Sequence, residues 1–210
     1  MEVGGQSTSN NLIVFKELGR QNYLTTLAMM QEFTANRDNE TSDQIWFTEH
    51  DPVFSCGIKT DKNDLPTTTD IPVIQTDRGG QITYHAPGQL LVYILFDLKR
   101  RSAIIREFIH DFEKIMLNTV RYYSEEATLK KSEPGIFIKD NKIVSFGLKI
   151  SKGRSYHGAS INISMNMEPW KKINVCGKKN QQVTDLEREG IPANVSGVSK
   201  IISQKVLTTF

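Results

Sequence analysis

The period of the apolar positions changes from segment to segment along the 210 residues, and each period predicts an element. Leu12 to Lys16 reads as a short strand. Between Gly19 and Asn36, Tyr23, Leu27, Met30 and Phe33 recur at helical spacing. Gln44 to Thr48 reads as a strand that His50-Asp51-Pro52 breaks, and residues 57–70 are polar and loop-like. Pro72 to Thr76 and Leu90 to Leu98 read as strands. The second is almost wholly apolar, as expected of a strand covered on both faces. Ser102 to Tyr123 is the clearest helix, with Ile105, Phe108, Ile109, Phe112, Ile115, Met116 and Val120 on one stripe. Ile136–Lys139 and Lys142–Ile150 flank Asp140-Asn141 as a hairpin on a two-residue turn. Tyr156 to Ser164 alternates through Ala159, Ile161 and Ile163 as a strand, and Val195 to Phe210 reads as a closing helix. Helices mixed with hairpins predict an α+β fold: a single domain with a mixed or largely antiparallel sheet.

Composition narrows the class. The length suits one domain with a sizeable core. No apolar run approaches the roughly 20 residues of a membrane span. Residues 1–10 are polar, without the basic start and apolar centre of a signal peptide, and read as a disordered tail before a domain over 11–210. The expected location is the cytoplasm, where Cys56 and Cys176 would be thiols rather than a disulfide framework. A formal net charge of +2 argues against general nucleic-acid binding. The charge is uneven, however. Residues 139–179 carry nine Lys/Arg against Asp140 and Glu168, which suits an acidic partner unless neighbours in space neutralise it.

The chemistry concentrates in Asp77-Arg78-Gly79-Gly80-Gln81-Ile82-Thr83-Tyr84-His85-Ala86-Pro87-Gly88-Gln89. Arg78, Gln81, Thr83 and His85 can bind a polar ligand, and Gly79-Gly80 lets backbone approach one closely. A plain glycine turn between two strands is the lesser alternative on composition alone. A second cluster lies downstream: Lys142 in Asn141-Lys142-Ile143-Val144-Ser145-Phe146-Gly147, Ser155-Tyr156-His157-Gly158-Ala159-Ser160, and Asn174-Val175-Cys176-Gly177. Cys56 and Cys176 are both followed by glycine in polar stretches, so either could be a nucleophile. The neighbouring lysines favour thiolate at Cys176. No paired metal-ligand spacing such as C-x-x-C or H-x-x-x-H occurs, so no metal site is expected.

Together these stretches resemble the lipoyl(octanoyl) transferases, whose pattern runs RGG-x-x-T-x-H-x-P-G-Q, a lysine opening a strand that ends in glycine, H-G, and a C-G cysteine. The resemblance covers nearly the whole chain from about Asn11. It implies the fold of biotin and lipoate protein ligases, with helices covering one mixed sheet. It implies transfer of an octanoyl group from octanoyl-acyl carrier protein to a lysine ε-amine on lipoyl domains of 2-oxoacid dehydrogenases and of glycine cleavage H protein, with no cofactor. It assigns Cys176 as the acyl carrier and Lys142, rather than Lys149, as its partner, and leaves Cys56 structural or incidental. Arg78, Gly79, Gly80, Gln81, Ile82, Thr83, Tyr84, His85, Ser145, Phe146, Gly147, Gly158, Ala159 and Ser160 are expected to line the acyl pocket. The strand glycines are expected to leave room for the acyl chain. Two other readings stay open: an ATP-dependent lipoate or biotin protein ligase, and a non-catalytic module that binds carrier or lipoyl domains.

Overall fold

The computed structural model describes residues 12–130, 133–174 and 181–210. A seven-stranded sheet forms the centre, in the order β1-β2-β6-β10-β9-β8-β7. Its strands are β1 (Ile13–Gln21), β2 (Asp43–His50), β6 (Gln89–Leu95), β7 (Ala127–Lys130), β8 (Glu133–Ile138), β9 (Asn141–Ser151) and β10 (Arg154–Asn162). β1 and β2 run parallel, and every other neighbouring pair is antiparallel. A second sheet joins β4 (Val73–Gln75), β3 (Val53–Cys56) and β5 (Thr83–His85). The single sheet implied by the resemblance is thus two. Of the smaller sheet, β4 lies within the strand expected over Pro72–Thr76, whereas β3 and β5, with four and three residues, are too short to show a period.

The apolar run in β6 is explained by cover on both faces. Leu90, Val92 and Ile94 join the core beneath α2 (Ile105–Tyr123) and α3 (Val195–Thr209). Leu91, Tyr93 and Leu95 point the other way and pack with Tyr23, Leu27 and Met30 of α1 (Tyr23–Asn36). Alternation along one strand therefore feeds two cores. A third core, with Phe54, Cys56, Ile82, Tyr84 and Trp170, underlies the small sheet.

Three of the boundaries that differ from the sequence reading have a local cause. The helix expected from Gly19 begins at Tyr23, because Asn22 caps it with a side chain that accepts from the Thr25 N–H at 3.2 Å. Residues 19–21 instead extend β1, past a register shift between Glu17 and Arg20. The helix expected from Ser102 begins at Ile105; Ser102 sits at φ 50°, outside helical conformation. The hairpin turns at Lys139-Asp140 rather than Asp140-Asn141, with Ile138 opposite Asn141 and Lys139 at φ 57°. The register thus slips by one at the tip, and Lys142 becomes the second residue of its strand.

Candidate active site

Between the loop 78–82 and the sheet strands β6, β9 and β10 lies a cavity of about 440 Å³. Its floor includes His85, Leu91, Tyr93 and His157, all buried, and exposed Lys59 and Pro134 stand on its rim. Lys142 lines the same cavity. This volume is in the range of small-ligand pockets.

Arg78 is one of two buried cations at this site, with 6% of its surface exposed. Its Nε donates to Ser55 Oγ at 3.1 Å and its Nη2 to Ser55 O at 2.5 Å, while Nη1 donates to Gly79 O at 2.9 Å. Glycines from three segments surround the guanidinium. A Cβ on Gly57 would lie 2.9 Å from Nη1, one on Gly147 3.4 Å, and one on Gly80 3.6 Å. Gly57 and Gly147, and Gly80 at φ +81°, thus make room for an arginine threaded through the protein.

Lys142 is buried too, at 2% exposure. Its Nζ donates to Pro134 O at 2.6 Å and lies over the Phe137 ring at 5.8 Å. Gly135, at φ +151°, lets it pass: a Cβ there would come within 2.4 Å of Lys142 Cε. The backbone of Lys142 is pinned as firmly. Its N–H donates to Gln182 O and its carbonyl accepts from the Thr184 N–H, each at 2.9 Å.

Aromatic and imidazole groups complete the floor. His50 Nδ1 lies 2.8 Å from Gln21 O, so it carries the proton, and Nε2 accepts from Tyr93 Oη at 2.7 Å. Burial lowers the His50 pKa to about 4 and holds that of His85 well below the ordinary value. Burial likewise raises the Tyr93 phenol. His157, at φ 57°, places Nε2 3.0 Å from Asp77 Oδ1, and Tyr156 Oη donates to Asp77 Oδ2. The His157 hydrogen bond is the main cause that holds the Asp77 carboxyl below its usual range. His157 Nδ1 and Thr83 Oγ1 have no hydrogen-bond partner among the described residues.

The structure gathers Arg78, Gly79, Gly80, Gln81, Ile82, Thr83, His85, Ser145, Phe146, Gly147, Gly158, Ala159 and Ser160 around this one cavity with Lys142. Tyr84 is the exception and corrects the expected grouping. Its ring packs away from the cavity, against Phe54 and Trp170, because β5 alternates and Thr83 and His85 take the cavity side. The role given to the strand glycines is also corrected. The missing Cβ of Gly147 accommodates Arg78 and Gly79, and that of Gly158 would lie 1.9 Å from Val92 O of the adjacent strand. These glycines permit close backbone packing rather than leave space for a chain.

Cys176 lies outside the described residues. Cys56 is buried in the core under the small sheet, and burial pushes its thiol pKa up, as suits a packing residue rather than a nucleophile. Three of the nine basic residues of that stretch have carboxylate partners among the described residues: Lys139 lies 3.8 Å from Glu126 and 3.7 Å from Glu189, Arg154 3.3 Å from Asp97, and Lys171 2.7 Å from Glu168. Sequence reasoning missed Ser55, Asp77, Asn162 and Tyr93 as parts of the site. Asp77 stands inside the glycine-rich stretch and was legible by position; Ser55 and Asn162 carry no local signal. Among the described residues no group of three or more His, Cys, Asp or Glu could hold a metal ion, and no helix is long and apolar enough to cross a membrane.

The two-sheet α+β domain shares its fold with lipoate and biotin protein ligases. A putative lipoate protein ligase from T. acidophilum with bound lipoic acid superposes with a TM-score of 0.74 at 14% identity, over 93% of this chain and 85% of that one. Biotin protein ligase from Aquifex aeolicus gives 0.57 at 11% identity, over 94% of this chain and 69% of its own. At such identities the likeness shows the fold alone. In sequence, residues 22–207 match the lipoyl protein ligase A/B catalytic domain, and an octanoyltransferase from Vibrio cholerae is 40% identical, over 94% of this chain and 91% of that protein. The chain belongs to the octanoyltransferases of the lipoyl protein ligase A/B family, and is an acyltransferase.

Proposed function

We propose that this protein transfers an octanoyl group from octanoyl-acyl carrier protein to a lysine ε-amine on a lipoyl domain, through a thioester on Cys176. The observation that carries the reading is Lys142, a buried lysine at the wall of the cavity in a chain that matches octanoyltransferases along its length. Gln182 and Thr184, a few residues beyond Cys176, bracket the backbone of Lys142, which supports the pairing of the two side chains.

In the first half-reaction Cys176 thiolate attacks the carrier thioester. A C–S bond forms to Cys176, the carrier C–S bond breaks, and the departing thiolate takes a proton. In the second, the acceptor ε-amine attacks the acyl-enzyme. A C–N bond forms, the Cys176 C–S bond breaks, and the amine proton leaves. In this reading Lys142 favours the thiolate and moves both protons. Acceptors would be lipoyl domains of 2-oxoacid dehydrogenases and glycine cleavage H protein, encountered in the cytoplasm. The thioester supplies the activation, so the reaction draws on neither ATP nor metal. An ATP-dependent ligase is the weaker reading, since ligases share the fold at 14% identity while the octanoyltransferase match reaches 40%.

The test is intact mass after incubation with octanoyl-carrier protein. Wild type and Cys56→Ser should each gain one octanoyl group, and Cys176→Ser none. Equal labelling of all three, or of none, would reject the intermediate. Product formation that requires ATP would favour the ligase reading.

A further inference from the structure

A single file of buried hydrogen bonds crosses the protein beneath the cavity. Arg78 Nε and Nη2 donate to Ser55 Oγ at 3.1 and 3.0 Å. Ser55 Oγ lies 3.0 Å from His85 Nε2, and His85 Nδ1 lies 2.6 Å from Gln89 Oε1. Gln89 Nε2 donates to Asn162 Oδ1 at 2.8 Å, and Asn162 Nδ2 to Thr184 O at 2.9 Å. Ser55, His85, Gln89 and Asn162 are each exposed by 4% or less.

The two ends of this file fix its direction. A guanidinium can only donate and a carbonyl can only accept. Ser55 Oγ, already accepting from Arg78, must therefore donate to His85 Nε2. His85 Nδ1 must then carry the proton toward Gln89, whose amide must donate onward to Asn162. Every link points from Arg78 to Thr184, and no member can turn round without breaking its neighbours. Burial, which keeps His85 neutral, is consistent with that single arrangement. Fully satisfied buried networks of this kind specify one packing.

The far end matters because of its position. Thr184 gives its carbonyl to Asn162 and its N–H to the carbonyl of Lys142, and Gln182 accepts from the Lys142 N–H. We infer that Gln89 and Asn162 are positioning residues, which register the Gln182–Thr184 segment, and with it Lys142, against the Arg78 loop across the cavity. They touch no reacting atom. Their catalytic consequence rests on the proposed role of Lys142; their mechanical one does not.

Asn162→Asp is the discriminating variant. One carboxylate oxygen still accepts from Gln89, but the other faces the Thr184 carbonyl, so an acceptor opposes an acceptor. Protonation restores an O–H donor toward Thr184, and burial raises the pKa of such a carboxyl toward neutrality. The turnover of Asn162→Asp, relative to wild type at each pH, should be down by about tenfold or more at pH 8, the scale of one misdirected buried hydrogen bond. That ratio should climb as pH falls toward 6, with kcat affected more than KM. Gln89→Glu should behave alike, since its protonated form again donates to Asn162, and it serves if Asn162→Asp does not fold. Asn162→Ala should be impaired at every pH without recovery. In parallel, amide exchange should show lost protection at Lys142 and Thr184 in each variant, restored by acid in the two acidic ones. Unchanged protection overturns the inference, and so does a lowered turnover ratio that stays flat with pH. Lost protection with wild-type turnover overturns its catalytic part. Should wild type itself transfer no octanoyl group, the function reading fails, and the exchange measurement alone decides whether the file positions Lys142.

Discussion

Arg78 and Lys142 are both buried cations on the wall of one cavity, yet the protein holds them differently. Arg78 is immobilised through its side chain: neutral acceptors take its N–H groups, and glycines from three segments close around it. Lys142 is immobilised through its backbone, strapped between Gln182 and Thr184, while its side chain reaches over Gly135 to a carbonyl. A guanidinium keeps its charge throughout the accessible pH range, whereas an ammonium can give up a proton. The contrast fits Arg78 to architecture and a standing positive field, and fits Lys142 to the proton transfer proposed for it.

The largest test of that division is kinetic. Lys142→Ala should lower acyl transfer by about 10²–10⁴-fold, the usual worth of a positioned acid–base group, while the fold survives. Lys142→Arg keeps a charge but cannot shuttle protons near neutrality, so it should preserve thiolate better than turnover. The measurement is alkylation of Cys176 by iodoacetamide against pH in the three proteins, beside their turnover. Coincident alkylation curves with undiminished turnover would reduce Lys142 to a packed strand residue.

What the sequence disclosed follows the same division. Long periodic elements were legible: the stripe from Phe108 to Val120 lies on α2, and the apolar Leu90–Leu95 lies in the central strand β6. The motif residues Arg78, Thr83, His85 and Lys142 do meet at one cavity. Hidden were features that depend on contacts distant in sequence. Ser55 takes its place because Arg78 reaches across 23 residues to it, and Asn162 because Gln89 meets it from 73 residues away. The glycines were misread for the same reason: a motif shows that a side chain is missing, but only the fold shows what fills the space. Tyr84 leaves the cavity because a strand turns alternate residues away, so a continuous motif is not a continuous surface.

The second test concerns protonation on the Arg78 side, where the imidazoles must stay neutral. His50 has a folded pKa of about 4 against an ordinary 6.5. Its contribution is therefore complete above pH 6.5 and drains as pH falls toward 4, because the unfolded chain takes up the proton first. At about 1.4 kcal/mol per unit, the loss approaches about 3 kcal/mol. His50→Gln keeps a donor toward Gln21 and an acceptor for Tyr93 but cannot titrate. Urea midpoints at pH 7, 5.5 and 4.5 should fall less steeply in the variant than in wild type. Parallel curves would mean that His50 is not held neutral by the fold.

Third, the glycine cage can be strained in graded steps. A Cβ at Gly57 would lie 2.3 Å from Gly80 O, a backbone atom that cannot move aside cheaply. A Cβ at Gly147 meets Arg78 Cδ at 3.1 Å and Gly79 O at 3.2 Å, where a few tenths of an ångström suffice. Gly57→Ala should therefore cost about 1–3 kcal/mol, the range for overpacking, and Gly147→Ala less. Denaturant titration checks the order. Equal, small costs would show that the loop 78–80 yields easily and that Arg78 is not caged.

The smallest effect is expected at the tip of the hairpin that carries Lys142. Lys139 occupies φ 57°, a conformation that costs a side-chain-bearing residue energy and glycine little. Its ammonium gives little in return: it is 65% exposed and its carboxylate partners, Glu126 and Glu189, stand 3.8 and 3.7 Å away. Against the relief of strain stands the added flexibility of glycine in the unfolded chain. The balance favours Lys139→Gly by a few tenths of a kcal/mol, up to about 1 kcal/mol. Because Lys142 is registered by Gln182 and Thr184 rather than by the turn, turnover should stay within about twofold of wild type, well under the 1.4 kcal/mol that a tenfold change represents. A more stable variant with sharply reduced turnover would mean that the turn, and not the strapped backbone, sets the position of Lys142.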